Sequence, residues 1–200
     1  MKYEIETARL YLRQLNPGDV DELHPVFNDA DVVKYMKASL PVSREDTEIA
    51  LLSIIKHWEQ HGFGRWAVVK KETGKLIGYG GLRNLYGMAE LVYLLGKPFW
   101  GQGLATELSK ACLKWGFDNR HFERIVAVTR PEHIASRRVM EKIGMTYEKD
   151  ANYLDIDVVQ YCISRATFES LCVLDNISFA CVAGNNARQR PTAHSSLTEA

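Results

Sequence analysis

The sequence predicts a mixed α+β fold of the α/β class, with a central, mostly antiparallel sheet and helices on both faces. Three observations carry this. Between residues 65 and 95 apolar positions alternate with period two in three successive segments. After them, two apolar stripes at helical spacing are each followed by further strand-like segments. Before them, one alternating segment precedes two more helical stripes.

Taken in order, residues 9–15 alternate as a first strand. Asn16-Pro17 then pairs an N-cap residue with proline at the first helical position, and Val20, Leu23 and Phe27 share one helical face. Pro25 should kink that helix or end it early. Ser43 caps a second helix in which Leu51, Ile54, Ile55 and Trp58 fall on one side. The meander runs 65–70, 76–82 and 88–95, broken by Glu72-Thr73-Gly74-Lys75 and by Tyr86-Gly87. A helix over 103–117 buries Leu104, Leu108, Ala111, Cys112 and Trp115. A strand at 124–129 leads to a helix opened by Pro131, faced by Ala135, Val139, Met140 and Ile143 and ended by Gly144 as a left-handed cap. Strands at 146–149 and 157–164 complete the pattern.

One domain over 1–170 accounts for all of these elements, leaving 171–200 as a C-terminal extension. Within it, 171–182 is apolar and could dock as a strand or helix. Residues 183–200 are polar and small, without periodicity, and are expected to be dispensable. Lysine plus arginine balance aspartate plus glutamate at 25 each, so no basic footprint for nucleic acid is expected. No apolar run is long enough to span a bilayer and the N-terminus lacks a signal-peptide core, so the chain reads as cytoplasmic without membrane contact. Cys112, Cys162, Cys172 and Cys181 lack C-x-x-C spacing, and neither a metal site nor a disulfide framework is expected.

The stretch Phe99-Trp100-Gly101-Gln102-Gly103-Leu104-Ala105-Thr106-Glu107 joins an apolar strand to an amphipathic helix. Glycines there let an anion approach the main chain, and the helix start supplies uncapped N–H groups. It is not a P-loop, which ends in G-K-[ST], nor a dinucleotide fingerprint, whose third glycine is replaced by Thr106. A plain glycine-rich connector is the alternative reading.

In its flanks this turn resembles the coenzyme A motif of the GNAT superfamily of N-acetyltransferases, and more narrowly its RimJ/RimL-like branch, which acetylates ribosomal-protein N-termini. That branch pattern runs tyrosine-tryptophan-glycine-x-glycine-x-alanine-threonine-glutamate, from which Phe99 to Glu107 departs only by phenylalanine for tyrosine. Glu6-Thr7-Ala8-Arg9-Leu10-Tyr11-Leu12-Arg13, the segment from Asn28 to Met36, and Ala135-Ser136 through Met145 are similar to three further motifs in the branch's order.

The resemblance implies the GNAT fold and acetyl-CoA as the only cofactor, a cosubstrate whose acetyl group passes directly to a primary amine in a ternary complex. Gly101, Gln102, Gly103, Leu104, Ala105 and Thr106 would hold the diphosphate, and the main chain of Leu94 and Leu95 the pantetheine arm. Where many family members carry a thiolate-facing tyrosine, this chain has Met140; Ser136 matches the serine that takes over that role in the branch. A helix-surface hydroxyl bonding to a carbonyl is its other reading. His133 stands where the branch has a cofactor-contacting asparagine.

Amine deprotonation calls for a carboxylate, and Glu90 is the candidate, with a solvated strand face as its alternative. His57, Trp58, His61, Arg83 and Asn84 are possible acceptor contacts or ordinary structural residues. An acetyl-cysteine route through Cys112 is disfavoured by its place on the buried stripe. The acceptor could be a protein or peptide N-terminus or a small-molecule amine such as a polyamine or antibiotic, and the chain a monomer or homodimer. A non-catalytic acyl-CoA sensor and a partner-recruiting module are the rival functions.

Overall fold

The computed structural model describes residues 4–36, 40–153 and 155–174. In chain order the elements are β1 (Ile5–Glu6), β2 (Leu10–Gln14), α1 (Val20–Phe27), α2 (Ala30–Val33), α3 (Arg44–His61), β3 (Arg65–Lys70), β4 (Leu76–Leu85), β5 (Met88–Leu95), α4 (Leu104–Arg120), β6 (Arg124–Thr129), α5 (Ile134–Lys142), β7 (Thr146–Tyr153), β8 (Ile156–Ser164) and α6 (Arg165–Leu174). One sheet runs β1-β2-β3-β4-β5-β6-β8-β7, antiparallel throughout except between β5 and β6. The mixed, mostly antiparallel architecture expected from the periodicities is the one found.

The sheet's alternation divides the core. Trp66, Val68, Leu82, Leu91 and Leu95 pack with Leu104, Leu108 and Cys112 of α4 on one face. Ala67, Tyr79 and Leu94 pack with Leu23 of α1 and Leu51 and Ile54 of α3 on the other. Pairings such as Trp66 with Gly80 and Gly80 with Tyr93 keep each set in one row across the strands. Ser43 closes a full capping box with Asp46 at the start of α3, worth about 1 kcal/mol. Pro25 lies in the last turn of α1, which stops two residues later at Phe27.

Three elements escape the sequence reading, among them α2, whose four residues are too few to show a helical period. β1 has only two residues, too few to show a period. α6 runs directly out of β8 and across the boundary drawn at 170, and its Leu171 and Cys172 pack on the main core. Gly144 makes room for it: at φ +87 it ends α5, and an added Cβ would lie 2.2 Å from Leu171 Cδ1. Cys112, Cys162 and Cys172 form no disulfide among the described residues. The dispensability of 183–200 concerns residues outside the described ones, as does Cys181. Among the described residues no helix is long and apolar enough to cross a membrane.

Candidate active site

The parallel pair β5 and β6 is joined at one position, Glu90 opposite Val126. Beyond it the strands diverge, so the main chain of β5 from Val92 onward has no sheet neighbour on that side. A wedge in a sheet exposes strand N–H and C=O groups that an extended ligand can use. This wedge opens into a cleft of about 730 Å³ lined by Tyr93, Leu94 and Leu95, the start of α4, the start of α5 and the α2 segment.

At the cleft's α4 end, Gly101 and Gly103 have φ +72 and +75. Gly103 is the N-cap of α4 in left-handed conformation, and no side chain caps the helix. The first N–H groups of α4 are therefore donors without an intrahelical acceptor at the positive end of its dipole. A Cβ on Gly101 would meet nothing within 4 Å, and one on Gly103 only Arg9 Nη2 at 3.6 Å. Bare glycines, open space and uncapped amides fit a diphosphate.

The turn is braced from behind. Glu107 accepts from Thr7 Oγ1 at 2.6 Å, Arg9 N at 2.8 Å and Arg9 Nε at 2.7 Å, while Arg9 Nη1 donates to Gln102 O at 2.8 Å. Burial alone would raise the Glu107 pKa; the bonds from Thr7 and Arg9 outweigh it and hold the carboxyl below its usual value. The Trp100 indole donates to Leu95 O at 2.7 Å, tying the turn to β5. Gln102 turns its amide back to Pro98 O at 2.8 Å and does not line the cleft, unlike Gly101, Gly103, Leu104, Ala105 and Thr106. Two sequence motifs a hundred residues apart thus form one clamp, which neither reveals alone.

At the α5 end, His133 is the N-cap, and its Nδ1 accepts from Ser136 N at 3.4 Å. An accepting Nδ1 means a neutral ring, with any proton on Nε2. The ring stacks on Tyr35, centroids 4.1 Å apart. Burial lowers the His133 pKa, and Glu132 opposes that only in part. Histidine here does the capping an asparagine would do, with an aromatic ring in place of an amide.

Depressed histidines bind fewer protons folded than unfolded, so their contribution to stability is complete above the unfolded imidazole value of about 6.5 and is lost as pH falls through the folded pKa. His57 is also lowered, first by burial and then by His61. The melting temperature is expected to drop between about pH 7 and pH 5. His133→Asn, which caps without titrating, should flatten part of that drop; an unaltered pH profile of melting would assign it elsewhere.

Ser136 is buried, and the single proton of the Tyr93 hydroxyl faces both Ser136 O at 3.1 Å and Ser136 Oγ at 2.9 Å, where shared donation leaves the serine hydrogen for another acceptor. Burial pushes Tyr93 up to about 12, so the phenol stays protonated at neutral pH. Both residues line the cleft, whereas Met140 is buried in the core and does not. Position 140 brings no phenol to the cleft, and Tyr93 of β5, a residue missed by the sequence reading, does. Its signal was the alternation that puts Tyr93 on the α4 face.

Glu90 sits at the wedge's apex, 1% exposed, and does not line the cleft. It faces its cross-strand partner Arg83, whose Nε and Nη2 both reach its carboxylate. Burial raises the Glu90 pKa, opposed by Arg83 and more weakly by Arg65. His57 is locked neutral: Nε2 accepts from Asn84 N at 3.0 Å, so Nδ1 carries the hydrogen and donates to Phe63 O at 2.9 Å. Trp58 donates to Arg65 O at 2.8 Å. His57 and Trp58 therefore brace the start of β3 and the end of β4.

Residues 9–146 match the family described as acetyltransferase (GNAT) domain. The protein YkkB of Bacillus subtilis is 34% identical over 159 residues, 74% of this chain and 88% of its own length. A GNAT-family acetyltransferase structure from Bacillus anthracis superposes with TM-score 0.70 at 27% identity, covering 80% of this chain and 97% of that one. Ribosomal-protein-S5-alanine acetyltransferase from Vibrio fischeri shares the fold, with TM-score 0.68 at 19% identity over 82% of this chain and 97% of that one. The splayed strands, the uncapped glycine turn and the match over 9–146 lead to one statement: this chain belongs to the GNAT acetyltransferase family and is an N-acyltransferase.

Proposed function

We infer that the enzyme transfers an acetyl group from acetyl-CoA to a primary amine, directly and in a ternary complex, and that the amine is a protein or peptide N-terminus. The observation that carries the cofactor reading is the continuity of the cleft from the bare Gly101/Gly103 turn to the Tyr93–Ser136 pair. Acetyl-CoA supplies an activated thioester, and everything else is positioning and proton handling. The α4 amides from Gly103 to Thr106 would bind the diphosphate, and the wedge-facing main chain of Tyr93 the pantetheine amides, since Leu94 O turns towards Gly78 of β4. Leu95 N would join it, since Leu95 O already accepts from Trp100.

Ser136 Oγ, backed by the protonated Tyr93 phenol, would give a hydrogen bond to the departing sulfur. Glu90 would take the amine proton through water. Its raised proton affinity and its place at the apex of the wedge favour that role. The N-terminus reading rests on the resemblance to the RimJ/RimL-like branch. A small-molecule amine is the second reading.

Release of CoA is to be measured across peptides with different first residues, polyamines and aminoglycosides. Peptide turnover exceeding that of small amines supports the N-terminal acceptor, and binding of acetyl-CoA without any turnover refutes transfer. In the same assay Glu90→Gln should depress rate most at low pH, where the amine is protonated, and be partly rescued at high pH. A loss of melting temperature with an unchanged pH–rate profile would make Glu90 a partner of Arg83 and nothing more.

A further inference from the structure

On the sheet face opposite α4, the row Arg65, Gly81 and Val92 and the adjoining pair Arg83 and Glu90 lie side by side. Two guanidinium groups share one carboxylate there. Glu90 is spent on Arg83, which holds it with two nitrogens and is still 39% exposed at its side chain. Arg65 is desolvated, has Tyr79 as its side-chain partner and Glu90 only as a weaker attraction, and its buried Nε has no hydrogen-bond acceptor. Its guanidinium carbon lies 5.5 Å from the Tyr79 ring, a contact that orients the charge without neutralising it. The neighbouring His57 is locked neutral and adds no balancing charge.

A half-buried arginine with no carboxylate of its own is costly, and the cluster of two arginines and one glutamate keeps one positive charge in excess. It stands at the apex of the wedge, on the face away from the α4 turn. A cofactor laid along β5 from that turn, with its sulfur at the Tyr93–Ser136 pair, points towards this apex, from which a second reactant would approach.

We propose that the acceptor amine carries an oxyanion, a carboxylate or a phosphate, which docks against Arg65 and Arg83 beside Glu90. This rests on the acyl-transfer reading of the wedge. Planar guanidinium forks match both oxyanions, whereas a polycationic acceptor would meet like charge.

The test compares amines differing by the oxyanion alone: β-alanine with propylamine, O-phosphoethanolamine with ethanolamine, and spermidine as polycation. The oxyanion member of at least one pair should show kcat/KM about tenfold or more above its partner. The pair with the larger ratio identifies carboxylate or phosphate. Arg65→Gln should bring that ratio towards one and Arg65→Lys should restore part of it, with melting temperatures recorded for both. Independently, the Arg65 Nε–H resonance of the CoA-saturated protein should move on titration with β-alanine or O-phosphoethanolamine. Turnover with equal efficiency in each pair, a preference for spermidine, or an unmoved resonance overturns the oxyanion site and leaves acetyl transfer standing. No turnover of any amine with a resonance that moves overturns transfer and keeps the site; neither signal overturns both.

Discussion

Ser136→Ala is expected to lower kcat by roughly 10²-fold to 10⁴-fold while leaving acetyl-CoA affinity nearly unchanged, the range for loss of a group that donates a proton or hydrogen bond to a leaving atom. The hydroxyl is buried, lines the cleft and is held at 2.9 Å by Tyr93, so it is positioned before the thioester arrives. Tyr93→Phe keeps the ring and removes the phenol that orients Ser136, and should lower kcat by a smaller factor. Because burial holds Tyr93 near 12, no alkaline limb from its ionisation should appear in the wild-type rate below about pH 10. A double-mutant cycle separates a working pair from two independent residues, since members of one network are non-additive. If Ser136 is only a packed hydroxyl, its removal costs stability and turnover survives, which single-turnover rates beside melting curves would show.

Gly103→Val is expected to abolish measurable acetyl-CoA binding. Gly103 sits at φ +75, where a β-branched residue carries strain of about 1–3 kcal/mol, and its new Cβ would project into the open space before the uncapped amides of α4. Strain and blockage are separable. Gly74, in the β3–β4 turn at φ +65 with nothing within 4 Å of an added Cβ, is the control. Gly74→Val should lose comparable stability and keep its affinity in calorimetry. Unchanged affinity in Gly103→Val would place the diphosphate somewhere other than this turn.

Much of the framework was legible because it is written in local periods. Alternation over 65–95 determined the meander, and the spacing of Leu104, Leu108 and Cys112 determined α4 and its buried face. The turn at Gly101 to Thr106 was legible for the same reason, since glycine positions and a helix start are contiguous in sequence. Strand ends were less so: β4 runs on to Leu85 and β7 to Tyr153, because ladder partners rather than apolar residues sustain those ends. What only the tertiary structure decided is what residues distant in sequence do together. Register placed Arg83 opposite Glu90 and left Arg65 without a carboxylate of its own, and it alone shows the apex to be a cationic cluster. The parting of β5 from β6 after Glu90 brought Tyr93 to Ser136, 43 residues away, and packing of the β1–β2 turn on α4 joined Arg9 to Glu107, 98 residues away. Side-chain period is fixed by the geometry of one element, whereas a hydrogen bond between elements depends on how two of them pack, and one sequence read locally holds no record of that.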